Sequence, residues 1–359
     1  MTNGLDEVVA AETVLSHVDG EGGRLVVRGH DIETIAGKAA YEDVVSLLWS
    51  GVVRDAPAGD ALRTEIGLAR VAAFERLSPL LAFTAGMAPI EVTRFLVGAV
   101  GDDEPLARPA GMLATVGVAA ALAMRSSQGE TPLRPDPRRG HADDLLRMIR
   151  GRAGDPAEVA ALEAYLVTII DHGLNASTFA ARVVASTAAG LPSALVAAVS
   201  ALKGPLHGGA PGPVLDMLDA IGSEAQADAW LARALDRGER LMGFGHRVYR
   251  VRDPRADVLK GMVRTLRGRA NRIQLAESVE RRALAMLARR KTGRRLDVNV
   301  EFYTALLLEA LGIPRAGFTA LFAAGRAAGW IAHVREQEAG GRIIRPQSRY
   351  IGPMPASAA

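Results

Sequence analysis

The sequence predicts a mostly helical protein with one short β-ribbon near its start, and three observations carry this. From Tyr41 onward apolar residues recur at helical spacing in YEDVVSLLWSG, ALRTEIGLARVAAFERL and IEVTRFLVGAV, each closed by Gly or Pro. No alternation of strand and helix appears that would build a parallel sheet. Aromatic residues make up only 4% of the 359 residues, against 49% for hydrophobic residues as a whole. Packing must therefore rest on Ala, Leu and Val, which suits close helix contacts.

The ribbon is expected in residues 8–35, as a strand pair around the turn at Asp19 to Gly23. Ser126 to His141 is polar, carries three prolines and reads as an exposed connection. Helices are expected over Asp143 to Ile149 and Glu158 to Ile170. The polar octet Asp171-His172-Gly173-Leu174-Asn175-Ala176-Ser177-Thr178 follows, where His172 reads equally as a core histidine or as part of a site.

Pro192 to Lys203 is apolar nearly all round, hence a buried helix, and it delivers His207. His207 stands in a loop, Gly204 to Pro213, with four glycines and three prolines. Such a loop admits a ligand close to the backbone and holds its shape, although alone it is as well explained as a turn with a surface histidine. Val214 to Ile221 and Ala225 to Leu241 are two further helices.

A second glycine-preceded histidine, His246, stands in Met242-Gly243-Phe244-Gly245-His246, with four arginines in the next nine residues. Asp253 followed by Pro254 reads as a helix start, which puts Arg255 in the first turn against the helix dipole and hints at an anionic ligand. Gly243-Phe244-Gly245 lacks the third glycine and the preceding strand of a dinucleotide fingerprint. In Asp297-Val298-Asn299-Val300-Glu301, Asn299 reads as an N-cap and Glu301 as a first-turn acid, a favourable place for a carboxylate whether or not it has a function. Ala320 to His333 carries Arg326 amid Ala and Gly, and Gly341 to Tyr350 reads as an extended arm holding Arg345.

Composition narrows the chemistry. With no cysteine, disulfides, zinc-thiolate sites, iron–sulfur clusters and cysteine nucleophiles are excluded. Neither a signal peptide nor a bilayer span is read: the apolar stretches Met112 to Met124 and Leu191 to Leu202 are too short, so a cytoplasmic location is expected. A net charge of +3 is too mild to argue for nucleic acid, and few aromatics are available to stack on bases. HExxH, P-loop and G-x-S-x-G sequences are absent, and the seven histidines are scattered, so no metal and no prosthetic cofactor is expected.

What remains is a toolkit for carbon–carbon bond formation next to a carbonyl. That chemistry needs a base for the proton, which Glu301 supplies, and a donor for the enolate oxygen, which His207 supplies. His246 can polarise a ketone, and arginines suit a dicarboxylate partner.

GPLHGGAPGPVLDML, MGFGHRVYRVRDPRA, NVEFYTALLLEALGIP and AAGRAAGWIAHVREQ followed by GRIIRPQS, with DHGLNASTF and the N-terminal ETVLSHVDGEGGRLVVRGHDIE, resemble the citrate synthase family in order and spacing over residues 8–352. The resemblance implies an acyltransferase with a citrate synthase-like two-domain helical fold: a large dimer-forming domain, 1–208 plus 313–359, and a small domain, 209–312, closing over the site. It implies that His207, His246 and Glu301 are catalytic, that His172, Arg255 and Arg326 hold oxaloacetate or citrate, and that Arg345 reaches the neighbouring subunit of a homodimer. Arg250 with Gly243, Phe244 and Gly245 would meet coenzyme A.

The implied reaction condenses acetyl-CoA with oxaloacetate and hydrolyses the thioester to citrate and CoA. The alternatives are a 2-methylcitrate synthase using propionyl-CoA, or a non-catalytic acyl-CoA or dicarboxylate binder. Three departures stand out: Glu301 where the family usually has Asp, Gln347 where a basic residue is common, and Arg108-Pro109-Ala110-Gly111-Met112 where many members carry His-Pro-Met. The short mid-chain resembles the compact dimeric type.

Overall fold

The computed structural model describes residues 8–208, 211–246, 248–266, 272–290 and 296–355. Gly209 and Ala210 of the His207 loop, at the expected domain boundary, lie outside the described residues, as does Arg247.

The N-terminal ribbon forms as expected. β1 (Ser16–Asp19) pairs antiparallel with β2 (Arg24–Val27) across the predicted turn, and β2 pairs with a further short strand, β3 (His30–Asp31). Fifteen α-helices follow among the described residues: α1 (Ile32–Ile35), α2 (Tyr41–Trp49), α3 (Gly59–Leu77), α4 (Pro89–Val97), α5 (Pro109–Ser127), α6 (His141–Arg150), α7 (Pro156–Thr168) and α8 (Ala176–Ala185). The rest are α9 (Leu191–Leu202), α10 (Pro211–Ile221), α11 (Glu224–Asp236), α12 (Pro254–Thr265), α13 (Ile273–Arg290), α14 (Val300–Ala310) and α15 (Phe318–Gly340).

Local chemistry sets the helix ends. Asp155 caps α7 by accepting from the Glu158 N–H while the Glu158 carboxylate accepts from the Asp155 N–H, so α7 begins two residues before the sequence reading placed it. α11 stops at Asp236, short of Leu241, because Gly238 takes φ 73° and the Glu239 N–H returns to the Ala234 carbonyl. α9 is not apolar all round, since Ser193 and Ser200 are exposed; its buried stripe is Leu191, Leu195, Ala198, Val199 and Leu202. The expected apolar stretch at Met112 to Met124 is part of a longer helix, α5, of 19 residues, which is long and apolar enough to cross a membrane. Its side chains are instead mostly buried inside the protein, against α3, α4, α6 and α15.

α15 is the other central helix, and its small residues set how closely it packs. A Cβ at Gly325 would fall 2.5 Å from Ile169 Cδ1, and one at Gly329 would fall 2.2 Å from the Ile170 carbonyl oxygen. Only glycine lets α15 lie this close to the segment leading into His172. Trp49 Nε1 donates to the Ala328 carbonyl at 3.0 Å, tying α2 to the same helix. The low aromatic content and high alanine content thus translate into short helix separations around α15.

The remaining helices pack largely with one another: α10 on α11 and α14, α11 on α13, and α12 on α14. α12 and α14 also rest on α7. This brings the starts of α12 and α14 near the connection after α7 that carries His172 and near α15, which carries Arg326.

Candidate active site

His172, His207, His246, Arg255 and Glu301 stand at helix ends or beside tight turns, whereas Arg326 lies in the middle of α15. His207 follows α9 in a turn closed by its own N–H and that of Gly208 on the Gly204 carbonyl, and Thr319 Oγ1 donates to the Gly208 carbonyl at 2.9 Å. Its Nε2 lies 3.3 Å from the Ser177 backbone N and 2.9 Å from Ser177 Oγ. A backbone N–H cannot reorient, so Nε2 is the acceptor and Nδ1 carries the proton. Ser177 is held in turn by Trp330 Nε1, which donates to its Oγ at 3.2 Å. Burial, followed by the charge of Arg326, lowers the His207 pKa to about 4, so the ring is neutral at pH 7.

His246 is fixed in the complementary sense. Its Nδ1 accepts from the backbone N–H groups of Val248 (3.0 Å) and Tyr249 (3.1 Å), which leaves Nε2 as the nitrogen that carries the donor proton. The ring stands 5.6 Å from that of His172 and 4.8 Å from that of Tyr249, centroid to centroid. His172 Nε2 is 3.2 Å from the Tyr249 hydroxyl. Burial, then the charges of Arg255 and Arg326, pushes His172 well below its ordinary pKa.

Glu301 occupies the first turn of α14, which Asn299 caps through its side chain as predicted. Asn299 also ties this turn to the His246 loop: its N–H donates to the Gly243 carbonyl and its Nδ2 to the Gly245 carbonyl at 2.8 Å. Phe244 and Val298 form an antiparallel bridge between the two segments. The contact needs Gly243, at φ 83°, because a Cβ there would sit 2.7 Å from the Phe302 ring. Glu301 Oε2 is sealed from solvent without a hydrogen-bond partner among the described residues. Burial pushes the carboxyl up to about 7; Asp253 adds to this, while Arg255 and Arg326 oppose it.

The two arginines are buried. Asp253 caps α12 and grips Arg255, with Nε on Oδ1 at 3.0 Å and Nη2 on Oδ2 at 2.8 Å. The first-turn cation is thus explained within the chain before any ligand is invoked. Arg326 donates through Nε to the Ile169 carbonyl and has no carboxylate in ion-pair contact among the described residues. Burial lowers its pKa to about 10, still far above neutrality.

His172, His207, His246, Arg255, Glu301 and Arg326 are therefore linked by contact or by electrostatic reach. Gly243, Phe244 and Gly245 brace the same place. Arg250 lies at its edge, with an exposed side chain and its N–H on the Gly20 carbonyl of the β1–β2 turn at 2.7 Å. Arg345 does not join: it is exposed on the extended tail, which is anchored nearby by the Ile344 N–H on Ser186 Oγ. Sequence reading did not single out Tyr249 or Trp330, nor Ser177 as the residue that fixes His207. Ser177 alone left a signal, as one of the polar octet between two apolar helices. Among the described residues no group of three or more metal-ligating side chains comes together.

A half-buried carboxyl poised near neutrality, two imidazoles each with one nitrogen fixed as an acceptor, and a buried cation without a carboxylate in ion-pair contact among the described residues suit an enzyme that stabilises enolates beside a bound anion. The profile of the citrate synthase C-terminal domain matches residues 4–347. The putative citrate synthase 2 of Mycobacterium tuberculosis is 38% identical, covering 99% of this chain and 94% of its own length. The citrate synthase of Haloferax volcanii is 37% identical (98% and 96%), and the 2-methylcitrate synthase of M. tuberculosis 34% (97% and 90%). The crystal structure of citrate synthase from Pyrobaculum aerophilum superposes with a TM-score of 0.87 at 32% identity, covering 100% of this chain and 94% of that one. The ternary complex of the Thermoplasma acidophilum enzyme with carboxymethyl coenzyme A and oxaloacetate superposes at 0.77 and 27% identity, covering 100% and 98%. The chain belongs to the citrate synthase family and is an acyltransferase of that fold.

Proposed function

We propose that the protein condenses acetyl-CoA with oxaloacetate and hydrolyses the citryl thioester, giving citrate and CoA without a metal or prosthetic group. The observation that carries this reading is the solvent-sealed Oε2 of Glu301, unpartnered among the described residues and in electrostatic reach of buried Arg255 and Arg326. A base held beside cations suits a carbon acid and a dicarboxylate. The ligands named for the Thermoplasma complex are of those two kinds.

In this reading Glu301 takes a proton from the carbon next to the thioester carbonyl, and His207 Nδ1–H stabilises the enol oxygen. The enol carbon then attacks the ketone carbon of oxaloacetate, while His246 Nε2–H polarises the ketone oxygen and protonates it. Water cleaves the citryl thioester. His172, Arg255 and Arg326 hold the oxaloacetate carboxylates. Arg250, with the Gly243, Phe244 and Gly245 turn, meets CoA, and the small domain, residues 209–312, closes over both substrates against the large one. The absence of cysteine suits a protein that folds in the cytoplasm.

One relative carries the name 2-methylcitrate synthase, and one methylene is worth only about 1–3 kcal/mol of discrimination, so propionyl-CoA is the competing donor. Incubating the enzyme with oxaloacetate and each acyl-CoA, and weighing the product by mass spectrometry, chooses between citrate and 2-methylcitrate. Unchanged oxaloacetate with both donors would leave a binding role.

The pH profile follows from Glu301. A base must be ionised, so kcat/KM should rise with pH through a midpoint near the raised value of about 7 and level off above it. His207, lowered to about 4, adds no limb in that range. A midpoint at the ordinary carboxylate value would contradict this assignment.

We further propose a homodimer in which Arg345 completes the neighbouring site. Its exposure, with no side-chain hydrogen bond or ion pair to another of the described residues, supports this. Truncation before Gly341 is expected to leave the helical content intact and lower activity at least about tenfold, the loss of one charge-assisted bond. A fully active truncated monomer would overturn the shared site.

A further inference from the structure

We propose that Asp253 is a positioning residue that locks the anion-binding Arg255 and the helix bearing Glu301 into one unit. The proposal rests on the reading of those two residues given above. Asp253 is fully buried, and both of its carboxylate oxygens are engaged. Oδ1 accepts from the Arg255 backbone N–H at 3.1 Å and from Arg255 Nε at 3.0 Å. Oδ2 accepts from Arg255 Nη2 at 2.8 Å and from the Val300 backbone N–H at 3.1 Å. The Asp253 N–H donates in turn to the Val298 carbonyl. One side chain therefore caps α12, orients the guanidinium and holds the first residue of α14, next to Glu301.

The division of labour follows from hydrogen-bond capacity. The fork on Asp253 uses Nε and Nη2 of Arg255, which leaves Nη1 for a ligand carboxylate. An asparagine has one acceptor oxygen, so it cannot serve the cap, the guanidinium and Val300 together. Charge acts in the same place. The groups in electrostatic reach of Glu301 are Arg255 and Asp253 at α12, Arg326 on α15 and Tyr165 on α7. Of the two acids among them, Asp253 opposes ionisation of Glu301 directly, and its removal leaves Arg255 uncompensated. Both effects ease ionisation of Glu301.

The test compares Asp253→Asn with the wild type, with Asp253→Ser retaining a helix cap if the first variant folds poorly. Asp257→Asn, which removes a surface partner of Arg252 on the same helix, serves as control. Folding is read by circular dichroism. Oxaloacetate affinity is read by calorimetry, and the Glu301 carboxyl is titrated by carbon-13 NMR, assigned by the signal lost in Glu301→Gln.

In the Asp253 variants we expect at least a tenfold loss of oxaloacetate affinity and a fall of about one pH unit in the Glu301 midpoint. The Asp257 control should change neither. A folded variant with both properties unaltered overturns the proposal, since a purely structural cap would move neither the midpoint nor the affinity. If the wild type itself does not bind oxaloacetate, the functional reading fails while the NMR titration still judges the role of Asp253.

Discussion

Glu301→Gln is expected to lower kcat about a thousandfold, the middle of the range for removing a positioned general base. Gln keeps the shape of the side chain and the Asn299 cap, so oxaloacetate affinity should stay within about threefold. Stability gives an independent check. The carboxyl is raised from 4.5 to about 7 in the folded chain, so ionising it there opposes folding. The stabilisation from the neutral form is full below the unfolded value and is lost as pH rises through about 7, a difference of about 3 kcal/mol. At pH 8 the Gln variant should therefore melt at or above the wild-type temperature although it is nearly inactive. A variant that keeps full turnover would remove Glu301 from the chemistry.

His207→Ala is expected to cost a factor of about 10²–10³ in kcat, the usual effect of losing one preorganised donor to an oxyanion. The argument rests on orientation more than on charge. The Ser177 backbone N–H fixes Nε2 as acceptor, and Trp330 holds the Ser177 hydroxyl, so Nδ1–H is ready before substrate arrives. Ser177→Ala should therefore lose much less than His207→Ala, because the backbone donor survives. Equal losses in the two variants, measured as kcat at saturating substrate, would point to the hydroxyl as the controlling group.

Much of this site was legible in the sequence. The N-caps Asp253 and Asn299 fixed where Arg255 and Glu301 would stand, and both form as read. Glycines flanking His207 and His246 marked turns that the structure uses for close contacts. What was not legible depends on contacts distant in sequence. Trp330 reaches Ser177 across 153 positions and Asn299 reaches Gly245 across 54, and no local pattern announces either pairing. The dipole argument for Arg255 carries less weight than its sequence position suggested: the same Asp253 that starts the helix also pairs with the cation. The arginine with no carboxylate in ion-pair contact among the described residues is Arg326, mid-helix among alanines, where sequence alone gave only its oddity.

The central claim is that Glu301 in place of the family's usual Asp is a working base for condensation. Its most direct test is CoA release from acetyl-CoA and from propionyl-CoA, with and without oxaloacetate, followed by a thiol reagent. The protein has no cysteine, so every thiol detected is CoA. The account predicts release that requires oxaloacetate and falls about a thousandfold in Glu301→Gln. Release with neither donor, from a folded protein that binds oxaloacetate, would contradict it.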